Sequence, residues 1–111
     1  MTRAVEEGYI VVYVTAASEE KAAELARVMV EERLAACGNV IGSVRSIYRW
    51  QGKVEDENEA LLVLKTRACL FEALKARIIQ LHSYEVPEVI AVPVVAGHKP
   101  YLDWIDDNTK K

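Results

Sequence analysis

The sequence predicts an α+β fold in which strands and helices follow one another in the order β-α-β-β-α-β. Two observations support this prediction: four segments are rich in β-branched and aromatic residues, and two segments carry apolar residues at helical spacing. The chain has 111 residues, of which 51% are hydrophobic, so it can bury a core of its own. We expect one domain over residues 9–111, preceded by a disordered or extended segment over residues 1–8.

The first strand and the first helix follow each other directly. Residues 9–15 form an almost continuous β-branched and aromatic run, which is typical of a central strand. Ser18 can cap the next helix, and the two glutamates after it suit the positive end of the helix dipole. The pattern predicts a helix that ends near residue 37. Its apolar residues at helical spacing are Ala22, Leu25, Ala26, Met29, Val30 and Leu34.

A long hairpin is predicted next. β-branched and aromatic residues dominate residues 39–50, Gln51 and Gly52 suit a two-residue turn, and a second extended run ends at residues 61–64. At about 3.3 Å per residue, an arm of about 12 residues is roughly 40 Å long, whereas a helix of about 17 residues is roughly 25 Å long. We therefore expect the hairpin to extend well past its helices.

The part of the hairpin beyond the helices would carry Ile47, Tyr48 and Trp50. A two-stranded ribbon with uncovered aromatic side chains and a free edge is marginally stable and prone to association in water. We expect another subunit to cover it. The alternative is that Tyr48 and Trp50 pack as cross-strand neighbours at a solvated tip.

Three more elements complete the chain. A second helix is predicted from about residue 68, a last strand over residues 86–94, and a short C-terminal helix that Pro100 can start. Pro93 lacks an N–H donor, which confines the last strand to a sheet edge or places Pro93 at its end. The apolar residues assigned to the two helices are Leu70, Phe71, Leu74, Ile78 and Leu81, then Tyr101, Leu102, Trp104 and Ile105.

This order of elements predicts the ferredoxin-like split βαβ sandwich. Right-handed crossovers then give an antiparallel sheet of order 4-1-3-2, with both long helices on one face. The same strand directions place His82 at one end of the sheet and Cys37 at the other, where Cys69 also lies. His82 and Cys37 of one chain therefore cannot share a metal ion.

Composition argues against several classes of partner. The 17 acidic and 14 basic residues give a net charge of -3, whereas a nucleic-acid-binding protein normally concentrates positive charge. The apolar runs are about half of the roughly 20 residues that a membrane span needs. The N-terminal sequence is acidic rather than basic, and two cysteines are too few for a secreted disulfide framework. We expect a cytoplasmic protein with no nucleic-acid or membrane partner, whose cysteines are buried thiols or soft ligands.

Several sequence motifs occur in order over most of the chain. They are Glu31-Glu32-Arg33-Leu34-Ala35-Ala36-Cys37, Tyr48-x-Trp50-x-Gly52-Lys53, Lys65-Thr66, Tyr84-x-x-Pro87-Glu88 and Tyr101-Leu102-x-Trp104. In these motifs the chain resembles the CutA divalent-cation tolerance proteins. The resemblance implies a ferredoxin-like homotrimer related in architecture to the PII signalling proteins, a link to copper and other divalent cations, and no established catalytic turnover.

The chain departs from the family pattern at a few positions. Gly42-Ser43 replaces the usual Pro-Gly, Ser83 replaces the proline that usually follows the histidine, and Ala16-Ala17 replaces a common Val-Pro. These departures loosen two loops and leave the fold prediction unchanged. Val14 occupies a position where some members carry a cysteine close to the histidine, which weakens the prediction of a strong copper site.

His82 and Cys37 are the predicted metal ligands. His82 follows the second helix beside Tyr84 and Glu85, and imidazole binds copper, nickel and zinc. The alternative is that His82 caps the carbonyl groups at the helix end. Cys37, together with Cys69, would suit Cu(I), which prefers soft ligands. The alternative for both cysteines is a small buried thiol.

The predicted function is that of a homotrimeric, copper-binding protein in the response to metal ions, with no catalysis and no organic cofactor. Tyr48, Trp50, Lys65 and Tyr84 are assigned to pockets between subunits. The alternative function is a PII-like trimer that binds a small molecule and regulates a protein partner. Acidic side chains on the hairpin are interpreted as a solvated edge and are assigned to no site. They are Glu55, Asp56, Glu57 and Glu59.

Overall fold

The computed structural model describes residues 8–111, which form four strands and three α-helices. In chain order these are β1 (Tyr9–Ala16), α1 (Glu19–Glu31), β2 (Cys37–Trp50), β3 (Lys53–Arg67), α2 (Phe71–Leu81), β4 (Val89–Pro93) and α3 (Lys99–Asp107). Except for Gly8, the predicted disordered or extended segment lies outside the described residues. None of the helices within residues 8–111 is long and apolar enough to cross a membrane.

The strands form one antiparallel sheet in the order β2-β3-β1-β4, which confirms the predicted order. In the centre of the sheet Val12 of β1 pairs with Leu64 of β3 on one side and with Ala91 of β4 on the other. Alternate residues of β1 are buried, because successive side chains of a strand point to opposite faces. The buried face packs against α1 and α2. The core on this face includes Val12, Val14, Leu25, Met29, Leu62, Leu64, Leu74 and Ile78.

Helix α1 ends earlier than its apolar pattern predicts. It closes at Glu31, and Arg33 then reverses the chain with a φ of 61°, in the left-handed region. Leu34 is buried as expected but lies in this turn, where its carbonyl accepts a hydrogen bond of 2.7 Å from the buried Thr66 hydroxyl. The interpretation of Val30 as a core residue is wrong, because that position points away from the sheet and is exposed.

The second half of the chain also differs in detail. Ala68–Leu70 form a turn of 3-10 helix before α2 begins, and β4 starts at Val89 instead of residue 86. Pro93 is the last residue of β4, which is an edge strand, as its missing donor requires. In α3 only Ile105 is buried. Tyr101 and Trp104 stack on each other at 5.5 Å between ring centroids and remain partly exposed.

The hairpin extends beyond the rest of the sheet, as predicted. Strand β1 pairs with β3 only as far as Ala60, so the residues of β3 before it pair with β2 alone. We call residues 44–59 the distal hairpin. Its turn has φ values of 51° at Gln51 and 81° at Gly52, the two-residue turn that the sequence predicts. Its apolar side chains are uncovered within the chain: Ile47 is 65% exposed and Val54 is 63% exposed.

A strained residue lies at the base of the distal hairpin. The pairing of β2 with β3 is interrupted between Ile41 and Val44, and Ser43 in this bulge has a φ of 63°. A left-handed conformation costs an ordinary L-residue roughly 1–2 kcal/mol, whereas glycine adopts it without that cost.

We expect Ser43→Gly to raise the free energy of unfolding by about 0.5–1 kcal/mol, after the greater entropy of glycine in the unfolded chain is subtracted. Urea unfolding monitored by circular dichroism measures the change. Ser46→Gly is the matched control, because Ser46 lies in the same strand without a positive φ. It should destabilise by about 0.5–1 kcal/mol. Equal destabilisation by both substitutions would show that the bulge is not strained at Ser43.

Candidate functional site

A cavity of about 730 Å³ opens where the distal hairpin meets the α2–β4 loop, residues 82–88. Cavities of roughly 300–1,000 Å³ are typical of sites for small organic ligands. The hairpin supplies one wall, the loop supplies the other, and the end of β1 lies at the base. The lining residues are Thr15, Ser46, Ile47, Tyr48, Trp50, Glu57, Glu59, Ser83, Tyr84, Glu85, Val86 and Glu88.

The lining of this cavity is acidic. Glu57 and Glu59 come from β3, Glu85 and Glu88 come from the α2–β4 loop, and no lysine, arginine or histidine is among the described residues that line it. We call it the acidic cavity. Glu57 and Glu59 are two positions apart on one strand, so both side chains lie on the same face. The interpretation of these two glutamates as part of a solvated edge without a site missed this arrangement.

Tyr84 and Glu59 form the most buried polar pair of the acidic cavity. The Tyr84 hydroxyl donates a hydrogen bond of 2.6 Å to Oε2 of Glu59, a residue that is only 8% exposed. Burial and this hydrogen bond to a carboxylate raise the pKa of Tyr84 well above its ordinary value. The phenol, which is protonated at neutral pH like that of any tyrosine, serves as the donor that the buried carboxylate needs.

Tyr48 and Glu57 repeat this pairing nearer the solvent. The Tyr48 hydroxyl donates to Oε1 of Glu57 at 2.8 Å, and this hydrogen bond is the main reason that the pKa of Tyr48 is raised to about 12. Both tyrosines thus orient a carboxylate and leave the faces of their rings as part of the cavity wall.

The hydroxyl groups of Tyr84 and Tyr48 should contribute differently to the stability of the protein. We expect Tyr84→Phe to lower the free energy of unfolding by about 1–3 kcal/mol, because it leaves the buried Glu59 carboxylate without its donor. Tyr48→Phe removes the same chemical group beside an exposed carboxylate and should change stability by about 0.5 kcal/mol or less. Chemical denaturation of both variants measures the difference. Equal effects would mean that Glu59 is not desolvated.

His82 lies at the end of α2 and adjoins the acidic cavity without lining it. Its Nδ1 accepts a hydrogen bond of 3.0 Å from the Tyr84 N–H, so Nε2 carries the ring hydrogen and donates it to the Thr15 carbonyl at 2.7 Å. Its ring is 4.6 Å from the Tyr84 ring. Both nitrogens are therefore engaged, and a metal ion could bind His82 only after one of these hydrogen bonds breaks. The role of His82 as a metal ligand stays a prediction.

The other predicted ligands lie away from the acidic cavity. Cys37 pairs with Lys65 at the opposite end of the sheet, and the Lys65 ammonium group donates to Oδ1 of Asn39 at 2.8 Å. One chain thus brings Tyr48, Trp50 and Tyr84 together but not Lys65, whose place in a pocket between subunits stays a prediction. The expectation of two buried thiols is wrong, because Cys69 is exposed and Cys37 is half-buried.

No group of three or more histidine, cysteine, aspartate or glutamate side chains within residues 8–111 is arranged to hold a metal ion. The acidic cavity therefore offers oxygen donors on two walls rather than a closed coordination shell. Binding of a small divalent ion there would require the loop or its carboxylates to move inward.

The chain is similar to known proteins over most of its length. The family model described as CutA1 divalent ion tolerance protein matches residues 10–108. The chain is 50% identical over 99 residues to the divalent-cation tolerance protein CutA of Thermus thermophilus, covering 89% of this chain and 96% of that protein. It is 45% identical over 101 residues to the chloroplastic protein CutA of Arabidopsis thaliana, covering 91% of this chain but only 56% of that longer protein.

The fold is also found in solved structures. The crystal structure of CutA1 from Oryza sativa superposes with a TM-score of 0.92 at 41% sequence identity, covering 96% of this chain and 98% of that one. The motifs on which the resemblance rests, including the segments around Tyr48 and Tyr84, lie within residues 10–108, which the family model matches.

Proposed function

The chain belongs to the CutA1 divalent ion tolerance protein family, and we propose that it acts as a homotrimer that binds divalent metal ions, copper among them, in the response to metal. The acidic cavity is the observation that carries this proposal. Four glutamates line it without a lysine or arginine among the described lining residues, so its field attracts cations.

The distal hairpin supports the trimer. Its apolar side chains Ile47, Trp50 and Val54 are exposed within one chain, and strands β2 and β4 each leave a sheet edge unpaired. Unpaired edges and exposed apolar surface favour association. Three hairpins arranged around a closed symmetry axis would cover both features at once, and closure limits the assembly to a defined size.

The proposed metal ligands are carboxylate oxygens of the acidic cavity, Glu59 foremost, together with His82. Nitrogen and oxygen donors suit Cu(II). Affinity should be moderate, because the imidazole must first give up its hydrogen bond to Thr15 or Tyr84. Cys37 lies at the opposite end of the sheet, so it could join this site only from a neighbouring chain.

Calorimetric titration of the purified protein with Cu(II), Zn(II) and Mg(II) tests the proposal. We expect Cu(II) to bind most tightly of the three, and we expect Glu59→Gln and His82→Ala each to weaken that binding by about tenfold or more. Glutamine at position 59 can still accept the Tyr84 hydrogen bond, so it removes charge with little change in shape. Glu72→Gln, an exposed residue of α2 paired with Lys75, is the matched control and should bind like the parent. No binding by the parent protein, or unchanged binding by both site variants, would reject the proposal.

Two observations favour this function over a PII-like signalling role. The hairpin is closed by the two-residue turn at Gln51 and Gly52, whereas PII-type modules use a long flexible loop. The lining of the acidic cavity also lacks the basic side chains that phosphate recognition requires.

We propose that the chain is not an enzyme. Its cytoplasmic location stays a prediction from composition, and the name of the Arabidopsis relative places that protein in the chloroplast.

A further inference from the structure

We draw no further inference here: the strongest candidate, the apolar face of the sheet opposite α1 and α2, where Ile41, Ile90 and Val92 are exposed, carries none because nothing in the structure shows what covers it.

Discussion

Replacement of Trp50 by alanine is expected to lower the stability of the assembled protein by about 3–5 kcal/mol per chain. Within one chain the side chain of Trp50 is 40% exposed at the end of β2, where it pairs with Lys53 beside the turn. Such a residue in an isolated chain would contribute little. The large expected loss follows from the proposal that two other copies of the chain cover the indole ring.

Thermal unfolding at two protein concentrations measures this effect. The midpoint of the parent protein should rise with concentration, because unfolding of a trimer is linked to dissociation. Val95→Ala is the matched control: Val95 is 94% exposed in the segment after β4, and its truncation should change stability by about 0.5 kcal/mol or less. If Trp50→Ala behaved like this control and kept the mass of the parent assembly, Trp50 would not lie at a subunit contact.

Replacement of Leu62 by alanine is expected to destabilise the fold by about 2–5 kcal/mol. Leu62 is fully buried on β3, between Val14 of β1 and Val40 of β2, on the face that packs against the helices. Truncation would remove apolar contacts and leave a cavity. Strand β3 is paired with a neighbouring strand on each side, so it cannot shift to fill that cavity. Denaturant unfolding of the variant gives the change in free energy.

Leu61→Ala is the control for Leu62→Ala. Leu61 is the adjacent residue of the same strand, points to the opposite face and is only half-buried. Its truncation should cost less, about 1 kcal/mol, in proportion to the smaller apolar area that it removes from water. Equal losses in the two variants would contradict the assignment of the helix-covered face.

The main elements of the fold could be predicted because they depend on local patterns. The run at residues 9–15 predicts a strand, the apolar spacing of α1 predicts a helix, and the pair Gln51 and Gly52 predicts a turn. The crossover rule then gives the sheet order. The ends of elements could not be predicted in the same way. The late start of β4 at Val89 and the left-handed turn at Arg33 depend on how separate segments pack together.

The candidate site was predicted in part for the same reason. Tyr48, Trp50 and Tyr84 are unusual in their positions, and the structure brings all three to one cavity. Glu59 looked like one of several hairpin acids, because its burial results from the loop that covers this part of β3. The sequence signal that could have placed Glu59 in the site is its position two residues after Glu57, since residues so spaced share a face of a strand.

The interpretation of His82 shows a further limit. Its place at the end of α2, near β1, follows from the strand directions. Both ring nitrogens form hydrogen bonds, one with the Thr15 carbonyl and one with the Tyr84 N–H. These bonds depend on the position of that carbonyl and on the path of the chain at Tyr84, and no spacing rule predicts either of them. A histidine with two hydrogen-bond partners and a histidine free to bind metal have the same sequence pattern.

The mass of the protein in solution tests most directly whether neighbouring copies of the chain cover the distal hairpin. Light scattering on the purified protein at micromolar concentration should give three times the mass of one chain, since the exposed side chains of Ile47, Trp50 and Val54 and the open sheet edges favour a closed assembly. A stable monomer at that concentration would contradict the account, because the hairpin would then remain uncovered in water.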